Sequence, residues 1–156
     1  MNVVTVQRLA PLSEADLSDF RHLMPETVRN LVSCIGAHAA LALLNAWPGV
    51  EVKVPLYPNA NPAGARRWSL MAEIVGEVAM QLLSKNYGGT SLVIPTCKQV
   101  RDEKRNRLIR HDFDHLTAKP PNGLGLSKSD AIQEVGMRHA PISARAVESI
   151  LNRPAL

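Results

Sequence analysis

The hydrophobic positions along this chain follow helical spacing over long stretches, and short alternating segments interrupt them. Between Pro25 and Trp47, apolar side chains recur at steps of three and four residues, which is typical of an amphipathic helix. Pro25 suits the first turn of this helix, and Gly36 would kink or divide it. Pro48 and Gly49 end it, and VEVKV then alternates apolar and polar residues as a short strand does.

The same order of elements occurs a second time. The stretch from Ile35 to Pro55 aligns without a gap on Val75 to Pro95, forty positions later. Identities fall at Gly36/Gly76, Ala39/Ala79, Leu43/Leu83, Gly49/Gly89 and Pro55/Pro95. Amphipathic helices followed by a strand share some letters by chance, but the ungapped register favours a duplication, with copies at about 24–55 and 64–95. Because two copies are too few for a solenoid, we expect each to bury the apolar face of the other.

Caps and helix breakers predict the elements around these copies. Ser13 can cap a short first helix that extends to His22. The proline-rich segment YPNANPAGARR predicts a loop and hinge that ends at Arg67. A helix from about Trp68 to Asn86 follows, and the glycine pair GG and a second strand, TSLVI, come after it.

The last third of the chain predicts three more helices. A highly charged helix runs from Lys98 to Leu116, and TAKPPNGLGL then excludes a helix. Ser127 and Ser143 are suited to cap the two final helices. The predicted fold is therefore mainly α with short β-strands (α+β). We expect an assembly or dimerisation domain at 1–95 and a helix-turn-helix DNA-binding domain at 96–156.

Charge supports this division, because the net charge of +4 is unevenly distributed. Residues 1–97 contain seven Lys/Arg and seven Asp/Glu, whereas residues 98–156 contain eleven and seven. A nucleic-acid-binding end would have this excess, and so would a mildly basic solvated face. The N-terminus lacks the pattern of a secretory signal, and no apolar run is long enough to span a membrane. Cys34 and Cys97 predict free thiols in a cytoplasmic protein.

The final two helices have the pattern of a helix-turn-helix. Ala131 would allow close packing of the second helix, and Val147 and Ile150 would face the core. The exposed face of that helix would enter the major groove, with Arg145 as the base contact. Candidate DNA contacts on this face are Ser143, Arg145, Ser149 and Asn152, beside Glu148, and the phosphate contacts are Lys128, Arg138 and Arg153. A plain helical hairpin with a charged surface is the alternative.

The sequence contains no convincing catalytic set. His111 and His115 lie four apart on one helical face, a spacing that can bind a metal, but no third ligand accompanies them. No glycine loop for phosphate and no nucleophile elbow is present. We therefore expect no enzyme activity, no catalytic or metal-binding residues and no cofactor.

The stretch GGTSLVIPTCKQVRDEKRNRLIRHDF resembles the centre of the Mor (phage middle-operon regulator) transcription activators. The matching features are Val75-Gly76, Gly88-Gly89, Ile94-Pro95 and an arginine-rich helix containing Arg101, Arg105, Asn106 and Arg107. The resemblance covers about Met71 to Phe113, and the first copy matches the dimerisation part again. A typical member has one such part, and its connections between the last helices are shorter.

The resemblance implies a DNA-binding regulator of phage or mobile-element origin in the cytoplasm of a bacterial host. Its partners would be double-stranded promoter DNA and RNA polymerase, with no membrane involved. It also implies backbone contacts from Arg101, Lys104 and Arg105. The glycines Gly36, Gly49, Gly76, Gly88 and Gly89, with Leu92 and Ile94, would form the dimerisation surface and hinge.

Two alternatives remain open at this point. The two copies could pack on each other as an intrachain pseudo-dimer, or they could pair with a second chain in a homodimer. In addition, the chain could be a protein-interaction module that modulates a Mor-type regulator, with a vestigial DNA-binding domain.

Overall fold

The computed structural model describes residues 9–156, and these form two compact units, with the division between Val100 and Arg101 in the sequence. The fold is mainly helical with one two-stranded antiparallel sheet, which confirms the predicted fold class. The start of the predicted first domain, and much of the stretch that lacks a signal pattern, lie outside the described residues. No helix within residues 9–156 is long and apolar enough to cross a membrane.

The first unit contains five α-helices and two strands in its described part. In chain order these are α1 (Glu14–Asp19), a short 3-10 helix (Arg21–Leu23), α2 (Glu26–Ile35), α3 (Ala37–Ala46), β1 (Glu51–Lys53), α4 (Pro62–Val75), α5 (Glu77–Tyr87) and β2 (Ser91–Val93). The first helix ends at Asp19 instead of His22, since the chain tightens there into the 3-10 turn. Pro25 precedes α2 in extended conformation instead of opening its first turn.

Both long helices predicted for the copies are divided by a glycine. Gly36 separates α2 from α3 at φ 85°, and Gly76 separates α4 from α5 at φ 89°. The predicted start of the second helix near Trp68 was wrong, because α4 already begins at Pro62. There the side chain of Asn61 accepts a hydrogen bond from the Gly64 amide at 2.7 Å, and Pro62 occupies the first turn.

The two strands pair with each other across a pseudo-twofold axis. Val52 lies opposite Leu92, its equivalent in the other copy, and Glu51 and Lys53 lie opposite Val93 and Ser91. Hydrogen bonds beyond the strands obey the same symmetry. The Gly49 amide donates to the Ile94 carbonyl at 2.7 Å, and the Gly89 amide donates to the Val54 carbonyl at 2.8 Å.

The helices repeat this symmetry, since α2 packs on α5 while α3 packs on α4. Equivalent positions of the two copies are buried together in one core: Val28/Trp68, Leu31/Met71, Ala39/Ala79, Ala40/Met80, Leu43/Leu83, Val52/Leu92 and Val54/Ile94. An isolated two-stranded ribbon is marginally stable in water. Here the buried face of the ribbon packs against the helices, so each copy covers the apolar surface of the other.

The second unit consists of most of α6 (Lys98–Thr117), α7 (Lys128–Arg138) and α8 (Ala144–Asn152). Its core is small and aliphatic and combines side chains of all three helices: Ile109, Leu116, Ala131, Ile132, Val135, Val147 and Ile150. The segment TAKPPNGLGL forms no helix after Thr117, as predicted.

Candidate nucleic-acid interface

Helices α7 and α8 pack against each other through a small side chain. Ala131 is fully buried on α7, and Val147 and Ile150 of α8 are 0% and 2% exposed. A larger residue at 131 would push the helices apart, because interiors are packed without spare volume. The predicted inward positions of these three residues are confirmed.

Serine caps fix where both helices begin. The Ser127 hydroxyl accepts a hydrogen bond from the Asp130 amide at 3.1 Å, and the Ser143 hydroxyl accepts one from the Ala146 amide at 3.1 Å. Both caps were predicted. They satisfy amides that a helix leaves unpaired in its first turn and set the direction in which each helix leaves its turn.

The outer face of α8 is polar and open to solvent. Arg145, Ser149 and Asn152 are exposed at helical spacing, opposite the buried Val147 and Ile150. Within residues 9–156, Arg145 forms no hydrogen bond or ion pair, so its guanidinium is available to a ligand. The exposed Glu148 lies on the same face and adds a negative charge to it.

A groove joins this face to the beginning of α7. Its lining consists of Lys128, Ser129, Ile132, Gln133, Ala144 and Glu148. Lys128 is therefore placed beside α8, at the exposed start of α7. Sequence reasoning missed Ser129 and Gln133, although their spacing of four residues on the polar side of α7 was a usable signal.

The two other candidate phosphate contacts have partners within their own unit. Arg138 is 42% exposed and lies 3.9 Å from Asp112 and 3.8 Å from Glu134, oxygen to guanidinium nitrogen. The Arg153 Nε donates to the Ser149 carbonyl at 3.2 Å. Both side chains reach solvent, but the charge of Arg138 is partly balanced by its neighbours.

An ion pair joins the end of α7 to α6. His139 Nε2 lies 2.8 Å from an oxygen of Asp112, and both side chains are mostly buried. Burial alone would raise the pKa of the Asp112 carboxyl. The hydrogen bond and charge of His139, together with the charge of Arg138, outweigh burial and lower that pKa below its usual value. The pair anchors the turn between α7 and α8 at its first residue.

The arginine-rich helix turns several of its charges inward. Glu103 is 1% exposed, and its carboxylate accepts a hydrogen bond from Arg110 at 3.2 Å and another from the Leu156 amide at 3.3 Å. Arg107 lies 3.6 Å from the same oxygen. Arg110 and Arg107 of α6 thus share one buried carboxylate of the same helix, an arrangement that sequence reasoning missed.

The three predicted backbone contacts on α6 differ in accessibility. Arg101 is buried at 7% exposure, whereas Lys104 and Arg105 are half-buried. Arg105 donates to the side-chain oxygen of its neighbour Asn106 through Nε at 3.3 Å and a terminal nitrogen at 3.1 Å. At this exposure the Arg101 side chain offers little surface to a phosphate.

The connection between α6 and α7 is held against the end of α6. The amides of Leu124, Gly125 and Leu126 donate to carbonyls of the last helical turns and the residue that follows, at 2.8 to 3.2 Å. Gly123 is buried there, and a Cβ at this position would collide with the His115 carbonyl. These contacts fix the backbone of the connection.

The predicted dimerisation and hinge residues lie in the first unit, at the junctions of the two copies. Gly49 and Gly89 take φ 80° in equivalent turns, and a Cβ on Gly88 would collide with the Ser84 carbonyl. Leu92 and Ile94 are buried at 5% and 0% exposure in the shared core. Their predicted role in joining two chains stays a prediction.

The remaining candidate chemistry is sparse. His111 is 81% exposed, and residues 9–156 contain no cluster of three or more His, Cys, Asp or Glu that could hold a metal ion. Both cysteines are free thiols. Burial raises the pKa of the Cys34 thiol, against the lowering effect of the hydrogen bond from Asn86. Cys97, which adjoins Lys98, is 3% exposed.

Comparison with protein families places the chain among regulators of transcription. Residues 65–151, from the first turn of α4 to the last turn of α8, match the model of the Mor transcription activator family. This is more than half of the chain, which therefore belongs to the Mor family, as its sequence predicted. Membership supports a general role in activating transcription, in a family of regulators that are not enzymes. No curated protein and no solved structure matches the chain significantly.

Proposed function

We propose that this protein is a sequence-specific DNA-binding activator in which α7 and α8 act as a helix-turn-helix. The observation that carries the proposal is the exposed face of α8, where Arg145, Ser149 and Asn152 line up opposite a buried apolar side. A helix of this kind fits the major groove, whose base edges differ for all four base pairs.

Arg145 is the proposed base contact. It lies in the first turn of α8, the end of a recognition helix that approaches base edges. Its planar guanidinium can donate to the two acceptors of a guanine at once, which a lysine cannot do with the same geometry. Ser149 and Asn152 are proposed to contact the same strand further along the groove.

Lys128 and Arg153 are proposed to bind phosphates on either side of this contact. Both are exposed, at the start of α7 and just after α8. The beginning of α7 adds the partial positive charge of its helix dipole, which favours an anion. Arg138, Lys104 and Arg105 are secondary candidates, because two carboxylates partly balance the charge of Arg138 and because Lys104 and Arg105 are half-buried.

Membership in the Mor family supports a proposal for the partners of this protein. We propose double-stranded promoter DNA as the target and RNA polymerase as the protein partner, in a bacterial cell that hosts a phage or mobile element. The location in the host cytoplasm follows from this target.

The test is DNA binding across a salt series, using DNA from the genomic neighbourhood of the gene. Arg145→Ala should weaken binding to the preferred site by about 1–3 kcal/mol and reduce discrimination between sites. Lys128→Ala should weaken binding to all sequences alike and reduce the slope of log affinity against log salt by about 0.9. Arg66→Ala, which removes an exposed arginine from α4, is the matched control and should change neither quantity.

Two outcomes would contradict the proposal. If the chain prefers no site even at low salt, it does not act as a sequence-specific DNA-binding protein on its own. The alternative of an interaction module for a Mor-type regulator would then be tested by co-purification with that regulator. If Arg145→Ala behaves like Arg66→Ala, α8 is not the recognition helix.

A further inference from the structure

We infer that the pairing surfaces of the first unit are satisfied within one chain, so that the protein acts as a monomer with a single α7–α8 pair and binds a single, non-palindromic DNA site. The DNA half of this inference rests on the proposed function. The monomer half rests only on the geometry of the first unit.

The register of the β1–β2 ribbon is the first observation that supports pairing within one chain. A twofold ribbon formed by two identical strands from two chains would be centred on one residue and its own copy. Here the centre falls between Val52 and Leu92, which are equivalent residues of the two copies in one chain. The amides of Val54 and Ile94 extend the symmetry, since they donate to Thr90 and Val50 at 2.9 Å each.

The packing of the helices is the second observation that supports pairing within one chain. Both copies contribute a helix to each symmetric contact, α2 with α5 and α3 with α4. The largest apolar side chains at these contacts, among them Leu31, Met71, Leu43 and Leu83, are at most 1% exposed. A second chain would have to displace one copy from this core before it could pair with the other.

The short connection between the copies is the third observation that supports pairing within one chain. Only residues 54–61 separate the end of β1 from the start of α4. A tether of this length gives the two copies an effective concentration in the millimolar range with respect to each other. Pairing within the chain therefore outcompetes pairing between chains at lower protein concentrations.

The consequence for DNA follows from counting recognition helices. A symmetric dimer presents two of them to half-sites about 34–36 Å apart, so its target is an inverted repeat. In residues 9–156, two assembly copies are followed by one α7–α8 pair. A monomer built in this way can contact only one such half-site, with no symmetry requirement on the sequence.

The first experiment is the mass of the 156-residue chain by sedimentation equilibrium, over about two decades of concentration. We expect 17.0 kDa throughout. A mass that rises to twice this value would overturn the inference, whether or not the chain binds DNA.

A cross-linking experiment separates paired copies in one chain from copies exchanged between two chains. Glu51 and Val93 are directly opposite each other and both exposed, and antiparallel partners lie within reach of a disulfide. The double variant Glu51→Cys/Val93→Cys should close into a disulfide-linked monomer on oxidation. The single variant Val93→Cys is the control and should form no such link. Covalent dimers as the main product of the double variant would overturn the inference.

The DNA arm uses duplexes that contain one preferred site or an inverted repeat of it. We expect one chain per single site, and no gain in affinity on the repeat beyond the doubled number of sites. Cooperative binding of two chains to the repeat would overturn the single-site half. A monomer that binds no site preferentially would refute the proposed function and the single-site half with it, while leaving the monomer half to the mass and the cross-link.

Discussion

Val52 and Leu92 occupy equivalent positions of the two copies and face each other at the centre of the ribbon. Both are buried, at 9% and 5% exposure, in a core to which each copy contributes two helices and one strand. The pseudo-twofold axis that relates the two copies therefore passes through the centre of the ribbon.

Truncation at the centre of the ribbon should weaken the first unit. Leu92→Ala removes a buried branched side chain, so we expect the free energy of unfolding of this unit to fall by about 2–3 kcal/mol. Val93→Ala is the control, because Val93 is 56% exposed on the same strand. Urea unfolding measures both. Equal effects of the two substitutions would mean that the ribbon does not bury Leu92 in solution.

The glycines that divide the long helices should resist substitution although they have space around them. Gly36 and Gly76 have positive φ with ψ near 160°, a region that only glycine adopts readily, yet a Cβ on either would meet no atom within 4 Å. Gly36→Ala and Gly76→Ala should therefore each cost about 1–3 kcal/mol of stability from backbone strain alone. Gly136 lies inside α7, and a Cβ there would have its nearest neighbour, the Ile142 carbonyl oxygen, at 3.9 Å. Gly136→Ala should therefore raise the free energy of unfolding by about 0.5–1 kcal/mol. Thermal or urea unfolding measures the stability of the three variants. An increase in stability on Gly36→Ala would contradict the positive φ of this residue.

A negative charge on the face of α8 should limit binding to DNA of any sequence. Glu148 is exposed beside Arg145 and lines the groove at the start of α7. Glu148→Gln removes repulsion from phosphates, so we expect tighter non-specific binding at low salt, by a few-fold. Glu73→Gln removes an exposed charge from α4 and serves as the control. Binding titrations on random-sequence duplex measure the change, and identical affinities of the two variants would place α8 away from the DNA.

The ion pair of Asp112 and His139 should make the stability of the second unit depend on pH. The pKa of Asp112 is lowered in the folded state. Its stabilising contribution is therefore complete above the ordinary value of 3.8 and is lost as the pH falls through the lower, folded pKa. We expect Asp112→Asn to reduce the free energy of unfolding by about 0.5–1 kcal/mol at neutral pH. The difference from the unmodified chain should disappear in strong acid, and a difference that persists there would show that the side chain acts by packing alone.

The buried carboxylate of α6 should be required for the fold of the second unit. Glu103→Ala would leave Arg110 and the Leu156 amide without their acceptor, so we expect a loss of about 2–3 kcal/mol. Asp114→Ala, which removes an exposed carboxylate from the same helix, should have an effect below about 0.5 kcal/mol. Chemical denaturation followed by circular dichroism compares them, and equal stabilities would mean that Glu103 is solvated in solution.

Local chemistry predicted much of the second unit from the sequence. Ser127 and Ser143 mark the starts of α7 and α8 because a serine followed by a periodic apolar pattern is a strong start signal. The burial of Ala131, Val147 and Ile150 followed from the same periodicity. The inward turn of Glu103 did not, because a glutamate in a highly charged helix is ordinarily expected to face solvent.

Local sequence signals predicted less of the first unit. The start of α4 was missed because prolines, glycine and asparagine dominate that segment, and the same Asn61-Pro62 pair that suggested a loop also caps a helix. The duplication was visible in the sequence, but the sequence did not show whether each copy pairs with the other copy of the same chain or with a copy in a second chain. The pairing of β1 with β2 shows that, in this structure, the two copies of one chain pair with each other.

Joining both copies in one chain releases them from the requirement to stay identical. In a dimer of identical chains every substitution occurs twice, so a change that suits one side of the axis is imposed on the other. Here Asn45 holds the backbone of Leu12 through two hydrogen bonds of 2.8 and 2.9 Å, whereas its equivalent, Lys85, is exposed on α5. Each half can therefore specialise separately, and the low identity between the copies is what such independent divergence would leave behind.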